Sequence, residues 1–139
     1  MAQRPLPETD ADARTFWDGA ASKKLLIQHC TGCRHYQFYP RSFCLSCGGA
    51  DLEMIESHGH GTVYSFTVVH RSPYDDVPAP YVVAIVTLDE GVRMLSNIVG
   101  CEPGDVRCDM KVRVTFEPLR DGIVLPLFTP AQLLEDLQR

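Results

Sequence analysis

Two Cys-x-x-Cys turns, Cys30-Thr31-Gly32-Cys33 and Cys44-Leu45-Ser46-Cys47, lie ten residues apart, and no other feature limits the fold of this chain so tightly. Each turn can aim two sulfurs at one point, and a tetrahedral ion takes four such ligands. Thiolate is a soft ligand, so a four-sulfur set selects zinc or iron over magnesium or calcium. The stretch between the turns, Arg34 to Phe43, is long enough for one β-hairpin that would bring them together as a rubredoxin-like zinc ribbon. Gly32 and Gly48 stand where such turns are expected to need positive φ. Four separate buried thiols or two disulfides are the competing readings, and the spacing favours metal over both. Zinc is preferred to iron, although four thiolates accept either. With all four positions filled, no site is left for water or substrate, so the ion is expected to be structural. In small zinc-finger peptides the metal contributes on the order of 10–16 kcal/mol, enough to fold a segment too short for its own core.

The 139 residues are 45% apolar, which suits one modest globular unit or two small ones. No apolar run approaches the ~20 residues of a membrane span. Met1 to Asp18 shows no basic start followed by an apolar stretch, so no secretory signal is expected. Six cysteines, four of them in a metal pattern, point to a reducing compartment and hence the cytoplasm. Cys101 and Cys108 are left over and are expected to be idle thiols rather than a pair. The formal net charge is -5. Nucleic-acid binding needs clustered Lys and Arg, and here basic residues are scattered among acids.

Met1 to Leu6 reads as a loose tail. Thr9 and Asp12 resemble a capping pair for an amphipathic helix over about 10–21, with Phe16 and Trp17 on its apolar face. Those aromatics are expected either to cover the chain's own ribbon or barrel, or to anchor a partner. Lys24 to His29 reads as a strand entering the first metal turn and Asp51 to Ile55 as one leaving the second. Tyr36, Phe38, Tyr39 and Phe43 are expected to be the ribbon's small core. His29 and His35 are expected to be exposed and spare. His58-Gly59-His60-Gly61 reads as a tight turn first and as a metal or proton site only second.

From Gly61 onward the period becomes two. Strands are expected over 63–70, 81–88, 92–99, 111–117 and 123–128, with Asp89-Glu90-Gly91 making a hairpin turn. Five such strands fit a small closed barrel of the oligonucleotide/oligosaccharide-binding (OB) type. Thr129-Pro130-Ala131-Gln132 reads as a helix start, with Leu133, Leu134 and Leu137 as one stripe. The fold class expected is therefore mainly β. It comprises an N-terminal helical segment (1–24), a zinc ribbon (25–57), a five-stranded barrel (58–130) and a short helical tail (131–139).

These residues, in this order, resemble the zinc-ribbon/OB-fold acyl-CoA-associated family known as domain of unknown function 35. The likeness rests on Phe16-Trp17, the four cysteines with Pro40-Arg41 before the second pair, and Gly59-His60-Gly61-Thr62-Val63-Tyr64-Ser65. Pro80 to Gly91 and Pro126-Leu127-Phe128-Thr129-Pro130 complete it. The resemblance implies an accessory subunit of thiolase-superfamily enzymes, including acyltransferases and thiolase-like aldolases of steroid side-chain breakdown, with some members accompanying enoyl-CoA hydratases. It implies that the barrel holds a CoA thioester while the chemistry sits on the partner. One departure is visible: a glycine usual before the fourth barrel strand is replaced near Asp109.

The residues themselves offer no nucleophile elbow, no His-Glu metal motif and no glycine-rich phosphate loop, which agrees with a subunit that is not catalytic alone. A CoA carrier needs apolar walls and a few cations. Tyr74 and Tyr81, with Tyr64, Phe66 and Met94, are candidate walls; Arg71 and Arg93, with Arg113, are candidate phosphate contacts. The alternatives are a single-stranded nucleic-acid-binding module, which the acidic balance disfavours, and a rubredoxin-like electron carrier.

Overall fold

The computed structural model describes residues 3–131. Helix α1 (Arg14–Ala21) carries Phe16 and Ala20 on its buried side. Its entry is not capped by Thr9. The Asp10 carboxylate accepts the Ala13 N–H at 2.9 Å and so closes the turn that precedes the regular helix.

The ribbon is a three-stranded antiparallel sheet in the order β2-β1-β3, formed by β1 (Leu26–Cys30), β2 (Tyr36–Gln37) and β3 (Leu52–Glu56). Its hairpin runs through the first cysteine turn, with His29 opposite Tyr36, and is not contained within 34–43 as expected. Residues 38–43 instead form an irregular loop held by two buried glutamines. The Gln28 Nε2 donates to the Arg41 carbonyl at 2.8 Å, and the Gln37 Oε1 accepts the Leu45 N–H at 2.9 Å. Side-chain amides thus replace the hydrogen bonds of a strand ladder. Phe38 and Tyr39 pack against the core, whereas Tyr36 and Phe43 are exposed.

Five strands then close into a barrel in the order β4-β5-β6-β8-β7. They are β4 (His60–Val69), β5 (Tyr81–Leu88), β6 (Arg93–Ile98), β7 (Lys111–Pro118) and β8 (Val124–Pro130). Closure depends on the long β4, which pairs with β5 along most of its length and with β7 at its start. A bulge between Val63 and Ser65 bends it to do so. The last pairing, β6 with β8, is parallel, the arrangement of an OB-type Greek-key barrel. Thr129 and Pro130 continue β8, opposite Arg113 and Val112, and Ala131, the last described residue, is helical directly after them. The expected stripe of Leu133, Leu134 and Leu137 lies outside the described residues.

One hydrophobic cluster joins the parts. Phe16 from α1 and Leu25 and Ile27 from the ribbon are buried together with Val63, Val86 and Phe128 of the barrel. Phe16 and Trp17 therefore cover their own chain; the Trp17 Nε1–H also donates to the Tyr39 hydroxyl at 2.8 Å. The N-terminal segment is not loose at Arg4. Its backbone N–H donates to Asp76, its guanidinium to Asn97, and its carbonyl accepts from Arg120. No helix among the described residues is long and apolar enough to cross a membrane.

Candidate functional site

The two cysteine turns have the same backbone shape. In each, the residue after the second cysteine is left-handed, with φ of 64° at Arg34 and 76° at Gly48. Gly48 meets the expectation for it; in the first turn the left-handed residue is Arg34, not Gly32. This bend folds backbone N–H groups toward sulfur. Cys33 N–H points at Cys30 Sγ (3.5 Å), Ser46 N–H at Cys44 Sγ (3.4 Å) and Gly49 N–H at Cys47 Sγ (3.4 Å).

The four Sγ atoms lie within 4.8 Å of one another. Cys30 to Cys47 is 3.7 Å and Cys33 to Cys44 is 3.5 Å. A tetrahedral ion with metal–sulfur bonds of about 2.3 Å requires sulfur–sulfur edges of about 3.8 Å, so the donor set fits. The N–H of Cys47 leads the groups that pull the Cys44 thiol down to about 6. At Cys47 the Gly49 N–H pulls the other way, but the sulfurs of Cys33, Cys30 and Cys44 push it up to about 11. One thiolate forms readily and then opposes the next, a conflict that a divalent cation at the centre removes. Cys30 and Cys44 are buried while Cys33 and Cys47 are exposed, so one edge of the cage faces solvent.

Cys101 and Cys108 are free thiols. Burial, then the carboxylates of Asp105 and Glu102, pushes the Cys101 thiol up. His29 is half-buried and its Nδ1 lies 2.8 Å from Glu53 Oε1, while His35 is exposed.

The candidate CoA contacts fall on different surfaces. Tyr81 lines a cleft of ≈ 320 Å³ together with Arg4, Asp76 and Asn97. Met94 lines a neighbouring, more apolar cleft of ≈ 330 Å³ under α1, beside Trp17, Tyr39 and Leu95. Arg93 lies on the outer barrel face with its guanidinium 3.8 Å from the centre of the Tyr64 ring. Tyr81 and Thr87, the residue opposite Arg93, are separated by about 20 Å of β5 at strand spacing. Arg71 is exposed in the loop after β4, and Tyr74 is half-buried there, its N–H bonded to the Ser72 hydroxyl at 3.2 Å. Arg113 and Phe116 border a third cleft, between ribbon and barrel. The bracketing of Asp76 by Arg4 and Arg120 has no local sequence signal, since its members are more than seventy or forty residues apart.

Outer barrel strands in water alternate polar and apolar residues, but β5 does not. Val82, Ala84, Val86 and Leu88 point inward, and Tyr81, Val83 and Ile85 take the outward positions. Leu95 opposite Ile85 is 69% exposed and Tyr64 is 52% exposed, which extends this apolar outer face.

Residues 17–53 match a family model described as the rubredoxin-like zinc ribbon domain of ChsH2, and residues 55–117 match the ChsH2 C-terminal OB-fold domain. A probable enoyl-CoA hydratase alpha subunit of Thermomonospora curvata is 35% identical over 94% of this chain and 41% of its own length. The chain thus spans about two fifths of that relative. A DUF35 domain-containing scaffold protein of Methanocaldococcus jannaschii is 38% identical over 72% of this chain and 75% of its own length. The benzoylsuccinyl-CoA thiolase subunit BbsA of Geobacter metallireducens is 31% identical over 66% of this chain and 60% of its own. Among solved structures, a chain of the Ltp2-ChsH2(DUF35) aldolase superposes with a TM-score of 0.85 at 34% identity, covering 91% of this chain and 99% of that one.

Proposed function

Since the chain belongs to the DUF35 family of ChsH2-type zinc-ribbon/OB-fold proteins, we propose that it is a non-catalytic scaffold subunit of a thiolase-superfamily enzyme, either an acyltransferase or an aldolase. The observation that carries this reading is the superposition on nearly the whole of one component of a two-named aldolase assembly. Relatives named as a scaffold protein and as a thiolase subunit support it, and the hydratase subunit extends the class of partner to an enoyl-CoA hydratase. The unalternated outer face of β5, with Leu95 and Tyr64, is the surface that would meet the partner.

In this reading Cys30, Cys33, Cys44 and Cys47 hold zinc rather than iron. The ion supplies structural cross-linking and no chemistry, because four thiolates leave no open position. The reading takes the assembly to be cytoplasmic, since a reducing compartment keeps such thiolates free to bind metal. Tyr81 and Tyr74 supply apolar contacts and Arg71 charge at one end of β5. Arg93 supplies charge at the other end, about 20 Å away, so both ends are met only by a CoA thioester lying extended along the strand.

Co-expression with a thiolase-like protein encoded beside it tests the proposal. A stable complex in size-exclusion chromatography is expected, with acyl-CoA turnover by the partner rising when this chain is present. Turnover of a thioester by this chain alone would overturn it. Calorimetry of Arg71→Ala and Arg93→Ala with CoA tests the ligand contacts separately, and unchanged affinity would remove both.

A further inference from the structure

The N-terminal segment lies across the part of the barrel where ligands of this fold are received. In OB barrels oligonucleotides and oligosaccharides bind the outer face of the second and third strands. The loop between strands one and two and the loop between strands four and five flank that face. Here the strands are β5 and β6, and the loops are 70–80 and 119–123. All three partners of Arg4 stand at this face: Asp76 on the first loop, Arg120 on the second, and Asn97 on β6.

Arg4 is held as a residue of a bound peptide is held. Its N–H donates to Asp76 Oδ1 at 2.8 Å, its carbonyl accepts from the Arg120 guanidinium, and its own guanidinium donates to Asn97 Oδ1 at 3.0 Å. Asn97 Nδ2 donates to the Val82 carbonyl at 2.8 Å, which fixes the amide with its oxygen toward Arg4. Arg120 also reaches Asp76 Oδ2 at 3.4 Å, so the two groups that grip the backbone are ordered as a pair. Among the described residues, Arg4 makes every hydrogen bond of segment 3–9. Pro5 and Pro7 have no N–H to give, and beside Arg4 only Leu6 and Pro7 are half-buried. The segment is a strap pinned at one residue.

This strap divides one groove into two. The cleft of ≈ 330 Å³ under α1 and the cleft of ≈ 320 Å³ beside the 70–80 loop share Arg4, Asn97 and Leu127. Phe128 points into the core, so its neighbour Leu127 takes the outward side of β8, yet Leu127 is 5% exposed. Departure of the strap would join the clefts and bare this leucine. It would also leave the carboxylates of Asp76 and Glu117 against the one guanidinium of Arg120, so a replacement has to bring a cation. Leu95 lines the first cleft and Tyr81 the second, which makes the groove continuous with the apolar outer face assigned to the partner.

We propose that this groove is a peptide-reading site that residues 3–8 fill in cis, and that an extended, arginine-bearing segment of the enzyme subunit replaces them in the assembly. A backbone acceptor, a backbone donor and a side-chain acceptor are matched to one residue, which is how extended peptides are recognised. The cis site stands on the geometry alone; the identity of its exchange occupant rests on the scaffold reading.

Calorimetric titration of the metal-loaded full chain with an acetylated peptide of residues 3–9 tests the site. Arg4→Ala and Leu6→Ser loosen the strap and leave the groove walls intact. Both lie outside helix and strand, so either one can decide, and metal content and circular dichroism establish folding. Each variant should bind the peptide at least about tenfold more tightly than the wild type, whose groove is already filled. A peptide that itself carries Arg4→Ala should bind about tenfold more weakly, the loss of one charge-assisted contact. No binding by either variant up to about 10 mM peptide, or binding indifferent to the peptide's arginine, overturns the site. So does CoA binding gained by variants that do not take up the peptide.

The exchange has its own readout in the complex with the thiolase-like subunit. Arg4→Ala should tighten that complex about tenfold, because the strap no longer competes, and the complex should exclude the peptide. A complex that neither variant tightens, or one that still takes up the peptide, overturns the exchange while the scaffold reading survives. Absence of any complex removes the scaffold reading and the exchange together, and the peptide titration then decides the cis site. A wild-type dimer that the peptide dissolves would make a second copy the occupant and overturns the exchange as well.

Discussion

Gln37 Nε2 donates to Gln28 Oε1 at 2.8 Å inside the ribbon, with both side chains buried. The same Gln28 oxygen accepts the Arg41 N–H at 2.9 Å, and Gln37 Nε2 also reaches the Phe43 carbonyl. The pair therefore shapes the loop that delivers Cys44. Gln28→Leu would keep the volume, remove one of the two acceptors of Gln37 Nε2, and leave the Arg41 N–H and the Arg41 carbonyl without these partners. A loss of roughly 3 kcal/mol is expected, at about 1–3 kcal/mol per buried unsatisfied group. Urea unfolding checks the magnitude, and faster metal release to a chelator checks that the ribbon is the part affected.

Glu90, in the turn between β5 and β6, clasps the exit of the ribbon. The Ser57 hydroxyl donates to its Oε1 at 2.7 Å and the His58 N–H to its Oε2 at 3.1 Å. Burial alone would push the Glu90 carboxyl up, but the hydrogen bonds from Ser57 and His58 together hold it below the usual carboxylate range. The folded state thus favours the ionised form. The clasp is fully present above the unfolded chain's carboxyl titration and is lost as pH falls through the lowered value. Glu90→Gln leaves one acceptor oxygen, uncharged, where Ser57 and His58 both donate, and should cost about 1 kcal/mol at neutral pH. In urea titrations across pH, that difference should shrink toward zero as the wild-type carboxyl takes up its proton.

Removing the metal should unfold residues 25–55 before the barrel. Native purification is expected to give one zinc per chain and a colourless protein; a red protein would mark iron. In hydrogen exchange after chelation, amides of β1 and β3 should lose protection while those of β4 and β5 keep theirs. Cys44→Ser should reproduce this without chelator. Acid favours release too, because protons compete for the thiolates.

Asp109 occupies the place where the family resemblance leads one to expect glycine, and its backbone keeps the glycine shape, with φ of 66°. Its N–H donates to the Val63 carbonyl at 2.7 Å, next to the bulge of β4. Asp109→Gly should therefore raise stability by about 0.5–1 kcal/mol, and Asp109→Val should lower it by more. Thermal unfolding of the two variants gives opposite signs if strain at this residue is the cause.

Much of this protein was fixed by local chemistry that can be read along the chain. Two Cys-x-x-Cys turns dictate a four-sulfur cage, because ligand spacing is a property of the backbone between neighbours. The switch from helical to twofold periodicity at Gly61 dictates barrel strands for the same reason. Interactions between residues distant in sequence could be settled only in three dimensions. Gln28 and Gln37 look like ordinary strand polars until burial pairs them, and they replace the expected hairpin with a glutamine-held loop. Arg4 looks like part of a tail until Asp76 and Arg120 close on it. The apolar outer face of β5 looks like an ordinary buried strand until closure of the barrel leaves Tyr81, Val83 and Ile85 on the outside. Lys23, His58 and Arg113 share no motif, and only the packing of ribbon on barrel brings them to one cleft.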